Sequence, residues 1–261
     1  MKIIAMQRHL SNVEKIRRDF QAQTPFHYVV IDDFLEFEEA ERLLHEFPAV
    51  DRDSWIDVNM AHQRKKWARP AVDGSAAEGF FVEANSPEMR SLLSDITGLE
   101  GLLADPELEG AGYHQILDGG FLNIHVDFNR LSNGLDRRLN LLVYLNRGWK
   151  PEFGGNLELW DRAGAERIAN IEPAFNRCVL FETNEVSYHG HPVPVRTRGT
   201  TTRKSLSIYY YTKGREDISY VPNHTTIYFN TQGAIGRLRI LRAGFEQRVR
   251  KYRLKLQRLI R

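Results

Sequence analysis

The sequence predicts a mainly β protein, a sandwich or jelly-roll-like barrel with helices packed against one sheet, and three observations carry that prediction. Helical periodicity dominates the first hundred residues. After Gly110 the texture changes to seven short strand-like runs, separated by turn residues at Asp118-Gly119-Gly120, Asn133-Gly134, Gly154-Gly155, Arg162-Ala163-Gly164 and Asn176. At 261 residues and 42% hydrophobic composition, the chain can bury a full core.

The elements follow in order. Leu10, Val13, Ile16 and Phe20 are spaced for one helix face, the run 26–35 reads as a strand, and Phe37, Ala40, Leu43, Leu44 and Phe47 form a second amphipathic helix that Pro48 stops. From Asp51 to Gly79 the pattern is polar, with Trp55 and Trp67 as its large apolar anchors, which predicts an extended excursion over the surface of the kind that covers sites. Ser86 then offers an N-cap, Pro87 a first helical position and Gly98 a stop, so a third helix is expected between them. The strands are read at 112–117, 121–128, 138–145, 156–161, 166–171, 177–183 and 204–212. Residues 1–110 are a helical and strand support region, 111–232 a catalytic-type β-core, and 233–261 a separate basic tail.

Composition narrows the function classes. A formal net charge of +2 implies neither a nucleic-acid partner nor an acidic one. The single cysteine, Cys178, rules out an internal disulfide and reads as a buried thiol, which fits a reducing compartment. The N-terminus has no signal-peptide pattern and no run approaches membrane-spanning length, so a cytoplasmic location is expected.

The chemistry is in the stretch "FLNIHVDF", residues 121–128, where one strand face is apolar and the other carries Asn123, His125 and Asp127. A histidine and an aspartate two apart on a strand can bind one metal ion if a third ligand returns to them. His189 and His191 in "SYHGHP" are the candidates. Two histidines and one carboxylate make the facial triad of non-haem Fe(II), which leaves coordination positions open, whereas no cysteine lies near enough to suggest a thiolate zinc site. His-x-Asp alone is weak, since such a pair is commonly a solvated polar face. The segment 203–211 strengthens it: Arg203, Ser205, Ser207 and Tyr209 share one face, and an inward arginine with a hydroxyl two residues on suits the far end of a dicarboxylate. Lys204 is expected to face away, and Trp160 to belong to the core.

The ordered set "GGFLNIHVD", "LNLLVYLNRGW", "FGGNLELW", "FNRCVLFE", "SYHGHP" and "RKSLSIYYYT" resembles the iron(II)- and 2-oxoglutarate-dependent oxygenases, in particular the branch similar to the prolyl 4-hydroxylase catalytic domain. The resemblance spans roughly residues 111–212. It implies a double-stranded β-helix (jelly-roll) core, with His125 and Asp127 as the first two iron ligands, His189 as the distal ligand in preference to His191, and Arg203 with Ser205 as the 2-oxoglutarate anchor. His191 is left to line the substrate entrance, and Asn123 and Tyr144 are secondary cosubstrate contacts. It also implies Fe(II), 2-oxoglutarate and dioxygen as cofactor and cosubstrates, ascorbate as a reductant, and conversion of 2-oxoglutarate to succinate. The carboxylate at Asp127 favours hydroxylation over halogenation. The substrate is a peptidyl prolyl residue or a small metabolite, chosen by the 51–79 excursion and the 129–138 loop. The rival reading is a cupin-like or carbohydrate-binding jelly roll with a structural metal.

Beyond Gly233, Leu238, Leu241, Phe245, Val249, Tyr252, Leu256 and Leu259 form an apolar stripe on a helix otherwise crowded with arginine and lysine. It suits docking on the barrel or a second subunit, or contact with an anionic surface. Nucleic acid fits poorly because aromatic interleaving is sparse.

Overall fold

The computed structural model describes residues 2–229 apart from 71–73, 75, 106–107, 128, 162–165 and 216–222. The basic amphipathic helix expected over 233–261 lies outside the described residues. The N-terminal part contains helices α1 (Met6–Ser11), α2 (Val13–Gln21), α3 (Phe37–His45), α4 (Ala76–Ala84) and α5 (Pro87–Thr97), with strands β1 (Tyr28–Ile31), β2 (Ile56–Asp57) and β3 (Gln63–Arg69) between them. The β-rich part runs β4 (Gly112–Val126), β5 (Asp136–Tyr144), β6 (Leu157–Trp160), β7 (Arg167–Ile171), β8 (Arg177–Glu182), β9 (Tyr188–His191) and β10 (Arg203–Thr212), followed by a short β11 (Ile227–Tyr228).

All pairings are antiparallel, in the order β1-β8-β5-β10-β4-β9-β6-β7. Strand β4 belongs to two sheets: residues 112–116 pair with β10, while Leu122 and His125 pair with β9. The sheet therefore folds over along β4, and Tyr144, Val179 and Phe181 from one half meet Leu157, Leu159 and Ile171 from the other in an apolar interior. This is the double-stranded β-helix, a jelly roll.

Alternation assigns the two faces of the larger sheet. Leu139, Leu141, Val143, Cys178, Leu180, Leu206, Ile208 and Tyr210 face outward and pack under helix residues such as Ile16, Phe20, Leu43, Phe80, Leu92 and Leu93 in one continuous core. Their neighbours one residue on, from Asn140 to Tyr144 and from Arg203 to Tyr209, face the barrel interior. Cys178 is fully buried as expected. Helix α5 forms as its ends foretell: the Ser86 hydroxyl accepts a hydrogen bond from Met89 N at 3.1 Å, Pro87 opens the first turn, and Gly98 closes it at φ 75°.

Three expectations change. The helix anticipated from Leu10 to Phe20 is two, broken at Asn12, whose side chain donates to the Arg8 carbonyl at 2.8 Å; Leu10 ends up 46% exposed. The turn expected at 118–120 lies within β4, where the glycines mark an irregular bend that lets one strand serve both sheets. The 51–79 excursion is partly a β2–β3 hairpin, and β3 pairs along β4 from Tyr113 to Leu122, so this polar segment covers what would otherwise be an open strand edge.

Candidate active site

His125 and Asp127 stand at the C-terminal end of β4, and β9 brings His189 directly opposite His125. The approach is close because of Gly190: a Cβ there would meet the Asn123 carbonyl oxygen at 2.7 Å. His125 Nε2 lies 3.4 Å from Asp127 Oδ1, His189 Nε2 3.4 Å from Asp127 Oδ2, and donor atoms of the three residues fall within 4.8 Å of one another. Each imidazole is held through its other nitrogen. His125 Nδ1 donates to the Asn123 carbonyl and His189 Nδ1 to the Ser187 carbonyl, both at 2.9 Å. A carbonyl only accepts, so both protons sit on Nδ1 and both Nε2 lone pairs face Asp127. Burial, and next the neighbouring His189, push the His125 pKa down, which favours the neutral ligand form.

Burial alone would raise the Asp127 pKa, yet the carboxyl is held well below its ordinary value by the Arg137 guanidinium. Arg137 Nη2 is 3.1 Å from Asp127 Oδ2, and Asn140 Nδ2 donates to that same oxygen at 2.7 Å. Arg137 Nε in turn donates to Asn140 Oδ1 at 2.9 Å, and its guanidinium lies 3.5 Å above the Tyr209 ring centroid. The network engages Oδ2 and leaves Oδ1 to face His125. Two imidazole nitrogens and an ionised carboxylate on one side of a cavity are a donor set suited to ferrous iron.

Deeper in the barrel, Arg203 is 5% exposed. Its Nε donates to the Gly155 carbonyl at 2.7 Å and its Nη2 to the Tyr144 hydroxyl at 3.2 Å, but among the described residues no carboxylate pairs with it. Burial pushes its pKa down, with Tyr144 opposing. Ser205 lies on the same face, directly between Tyr144 on β5 and His114 on β4. Arg203, Tyr144 and Ser205 thus share one inward face. Asn123 reaches the site through its backbone carbonyl. Lys204 faces the other way, its backbone N–H donating to Asn146 Oδ1 at 2.7 Å, and Trp160 packs against the outer Ile124–Val126–Tyr188 cluster. His191 is buried, with an unpartnered Nδ1, and burial, Arg203, Lys66 and His125 together hold its pKa well down.

Sequence reasoning missed five residues here. Arg137 and Asn140 hold Asp127; the inward alternation of β5 that singled out Tyr144 also runs through Asn140 and offered a signal for it. His114 lies beside Ser205 on that same face, and burial followed by Lys66 push its pKa down to about 3. His62 and Tyr228 stack at 4.5 Å, and Tyr228 lies 5.4 Å from the His125 ring because β11 pairs with the end of β4. No local pattern announces that return of the chain.

The jelly roll thus brings a His-Asp-His cluster, from the end of β4 and from β9, together with a buried arginine on β10. Residues 111–211 match the family model of the 2OG-Fe(II) oxygenase superfamily. Mouse prolyl 3-hydroxylase OGFOD1 is 30% identical over 79 residues, a match covering 29% of this chain and 14% of that relative. Among solved structures, a Trichoplax adhaerens prolyl hydroxylase in complex with a hypoxia-inducible-factor peptide fragment superposes with a TM-score of 0.57 at 18% identity, over 80% of this chain and 92% of that one. HygX from Streptomyces hygroscopicus, with nickel and 2-oxoglutarate bound, gives 0.53 at 14% identity, over 80% and 96%. Both are likenesses of fold.

Proposed function

We propose that this protein is an Fe(II)- and 2-oxoglutarate-dependent dioxygenase that hydroxylates a prolyl residue of a peptide or a small metabolite. The observation that carries the proposal is Arg203: a buried guanidinium with no carboxylate beside it among the described residues is costly unless a ligand supplies one, and the terminal carboxylate of 2-oxoglutarate would do so. A barrel that merely holds a structural metal has no use for it. The matched region amounts to 29% of this chain, so the prolyl reading rests on the names of relatives and the metabolite reading stands beside it.

His125, Asp127 and His189 would hold the iron, and Arg203 with Tyr144 and Ser205 the far carboxylate of 2-oxoglutarate. With that cosubstrate and dioxygen, the metal supplies oxidative decarboxylation to succinate and carbon dioxide and delivery of the second oxygen atom to a substrate C–H bond. The protein contributes position and electrostatics. Backbone carbonyls of Asn123 and Ser187 fix the imidazoles, Arg137 and Asn140 keep Asp127 ionised and oriented, and the apolar floor of Leu157, Leu159, Val179 and Phe181 excludes water beneath them. The Tyr144 hydroxyl accepts from Arg203 and turns its fork toward the cavity.

Ascorbate is assigned as the reductant that restores ferrous iron after uncoupled turnovers. A cytoplasmic location accords with the single buried Cys178; among the described residues no helix is long and apolar enough to cross a membrane. The test is succinate release from 2-oxoglutarate by protein supplied with Fe(II), ascorbate and oxygen, screened for stimulation by proline-containing peptides and metabolites. Succinate formation that requires iron supports the function; its absence under all conditions refutes it.

A further inference from the structure

Resting on the oxygenase reading above, we propose that Lys66 binds a carboxylate of the substrate, so that the molecule oxidised by this protein carries an anionic group close to the carbon that reacts. The placement comes from strand register. Lys66 on β3 is directly opposite Ile116 on β4, and Ile116 is directly opposite Arg203 on β10. Directly paired residues share a sheet face, so the lysine looks into the same cavity as the arginine, two strands away. Two strand spacings are roughly 10 Å, within the combined reach of the two side chains and a small ligand between them. Arg203 lies deep in the barrel, whereas Lys66 is half-buried on the strand nearer the surface. Its ammonium makes no hydrogen bond or ion pair among the described residues.

Charge points the same way. Iron(II) and the doubly charged 2-oxoglutarate together are neutral, so among the described residues that share this cavity Asp127 stands against Arg137, Arg203 and Lys66, a surplus of two positive charges. The imidazoles that share the cavity, His114, His125, His189 and His191, bring no negative charge. Arg137 is paired with Asp127 and Arg203 is aimed at the cosubstrate, so among the described residues Lys66 is the cation in this cavity with no anion assigned to it. A neutral substrate closing the site would strip water from that ammonium with nothing in return. A carboxylate would replace the water with a charge-assisted hydrogen bond. Burial is the main cause that pushes the Lys66 pKa down to about 8, with Arg203 and Arg137 adding to it and Asp127 opposing.

The experiment uses the full chain loaded with Mn(II) and N-oxalylglycine, an inert isostere of 2-oxoglutarate, so that no turnover is needed. Thermal melting and calorimetric titration are followed with two sets of probes: free amino acids against their primary amides, and Asp-Pro-containing peptides against the same peptides with Asn. The expected result is binding in at least one set by the carboxylate form and not by its neutral match. Lys66→Met should weaken that binding by about tenfold or more, Lys66→Arg should retain most of it, and neither should change the affinity for N-oxalylglycine. Equal binding of acid and amide, unaltered binding by Lys66→Met, or no response to any carboxylate would overturn the proposal. So would loss of N-oxalylglycine affinity in Lys66→Met, which would assign the lysine to the cosubstrate. Failure of the wild-type protein to bind N-oxalylglycine would overturn the oxygenase reading itself.

Discussion

The ionised state of Asp127 depends on Arg137, and the dependence can be measured as a coupling. Arg137 is 2% exposed, contacts Asp127 Oδ2 at 3.1 Å, and bonds Asn140, which bonds the same carboxylate oxygen. Replacing Arg137 with Leu in metal-free protein leaves a nearly buried carboxylate with only imidazole and amide partners; removing one member of such a pair costs about 3–5 kcal/mol. Asp127→Asn leaves the opposite fault, a buried guanidinium without its anion, and should cost a similar amount. The double variant has neither uncompensated charge. Its destabilisation should therefore fall short of the sum of the single variants by about 2 kcal/mol or more, against a scatter of about 0.5 kcal/mol for independent sites. Urea unfolding in the presence of a chelator reads all four corners, and a single-variant loss of this size moves the midpoint by roughly 1–2 M. Arg137→Lys, which keeps the charge and loses the fork, extends the series if the leucine variant does not fold. Additive single effects would refute the claim that the pair acts as a unit.

Three further outcomes follow. Arg203→Ala should raise the dissociation constant for 2-oxoglutarate by about thirtyfold or more, as expected for a buried charged anchor at about 2–5 kcal/mol, while Tyr144→Phe should cost about 1 kcal/mol; calorimetry on Mn(II)-loaded protein measures both. Gly190→Ala should weaken metal binding, because its Cβ would press on the Asn123 carbonyl that holds His125; equilibrium dialysis against Mn(II) should show a loss of about tenfold. For Lys66, a pKa lowered to about 8 means that the unfolded chain holds the proton and the folded one does not between pH 8 and the ordinary lysine value. Stability of metal-free protein should therefore rise through that window relative to Lys66→Met, by about 1–2 kcal/mol once partial exposure is allowed for, and chemical unfolding at pH 7.5 and 10 should show it.

Much of the fold is legible because alternation is local. In "RLNLLVYL" and "RKSLSIYYYT" one face is continuous under the helices and the other carries Asn140, Tyr144, Arg203 and Ser205, so facing could be read residue by residue. The proximity of His125, Asp127 and His189 is legible for the same reason: a polar pair two apart at the end of one strand, and a histidine on a later one. Two kinds of feature resist such reading. Lys66 and His62 lie in a segment with too little apolar patterning to show that it would become a hairpin against β4, and Tyr228 reaches His125 only because β11 returns to the end of that strand. The bend at 118–120 is ambiguous in principle, since glycines serve a turn between two strands and a bulge within one equally well; pairing with both β10 and β9 decides it.

The central claim is that His125, Asp127, His189 and Arg203 form one site for ferrous iron and 2-oxoglutarate, and anaerobic absorption spectroscopy addresses it most directly. Adding Fe(II) and 2-oxoglutarate together to the wild-type protein should produce a weak visible charge-transfer band that neither gives alone. The band should be lost in His189→Ala and need far more 2-oxoglutarate in Arg203→Ala. Wild-type protein without the band, or a band that persists undiminished in both variants, would contradict the account.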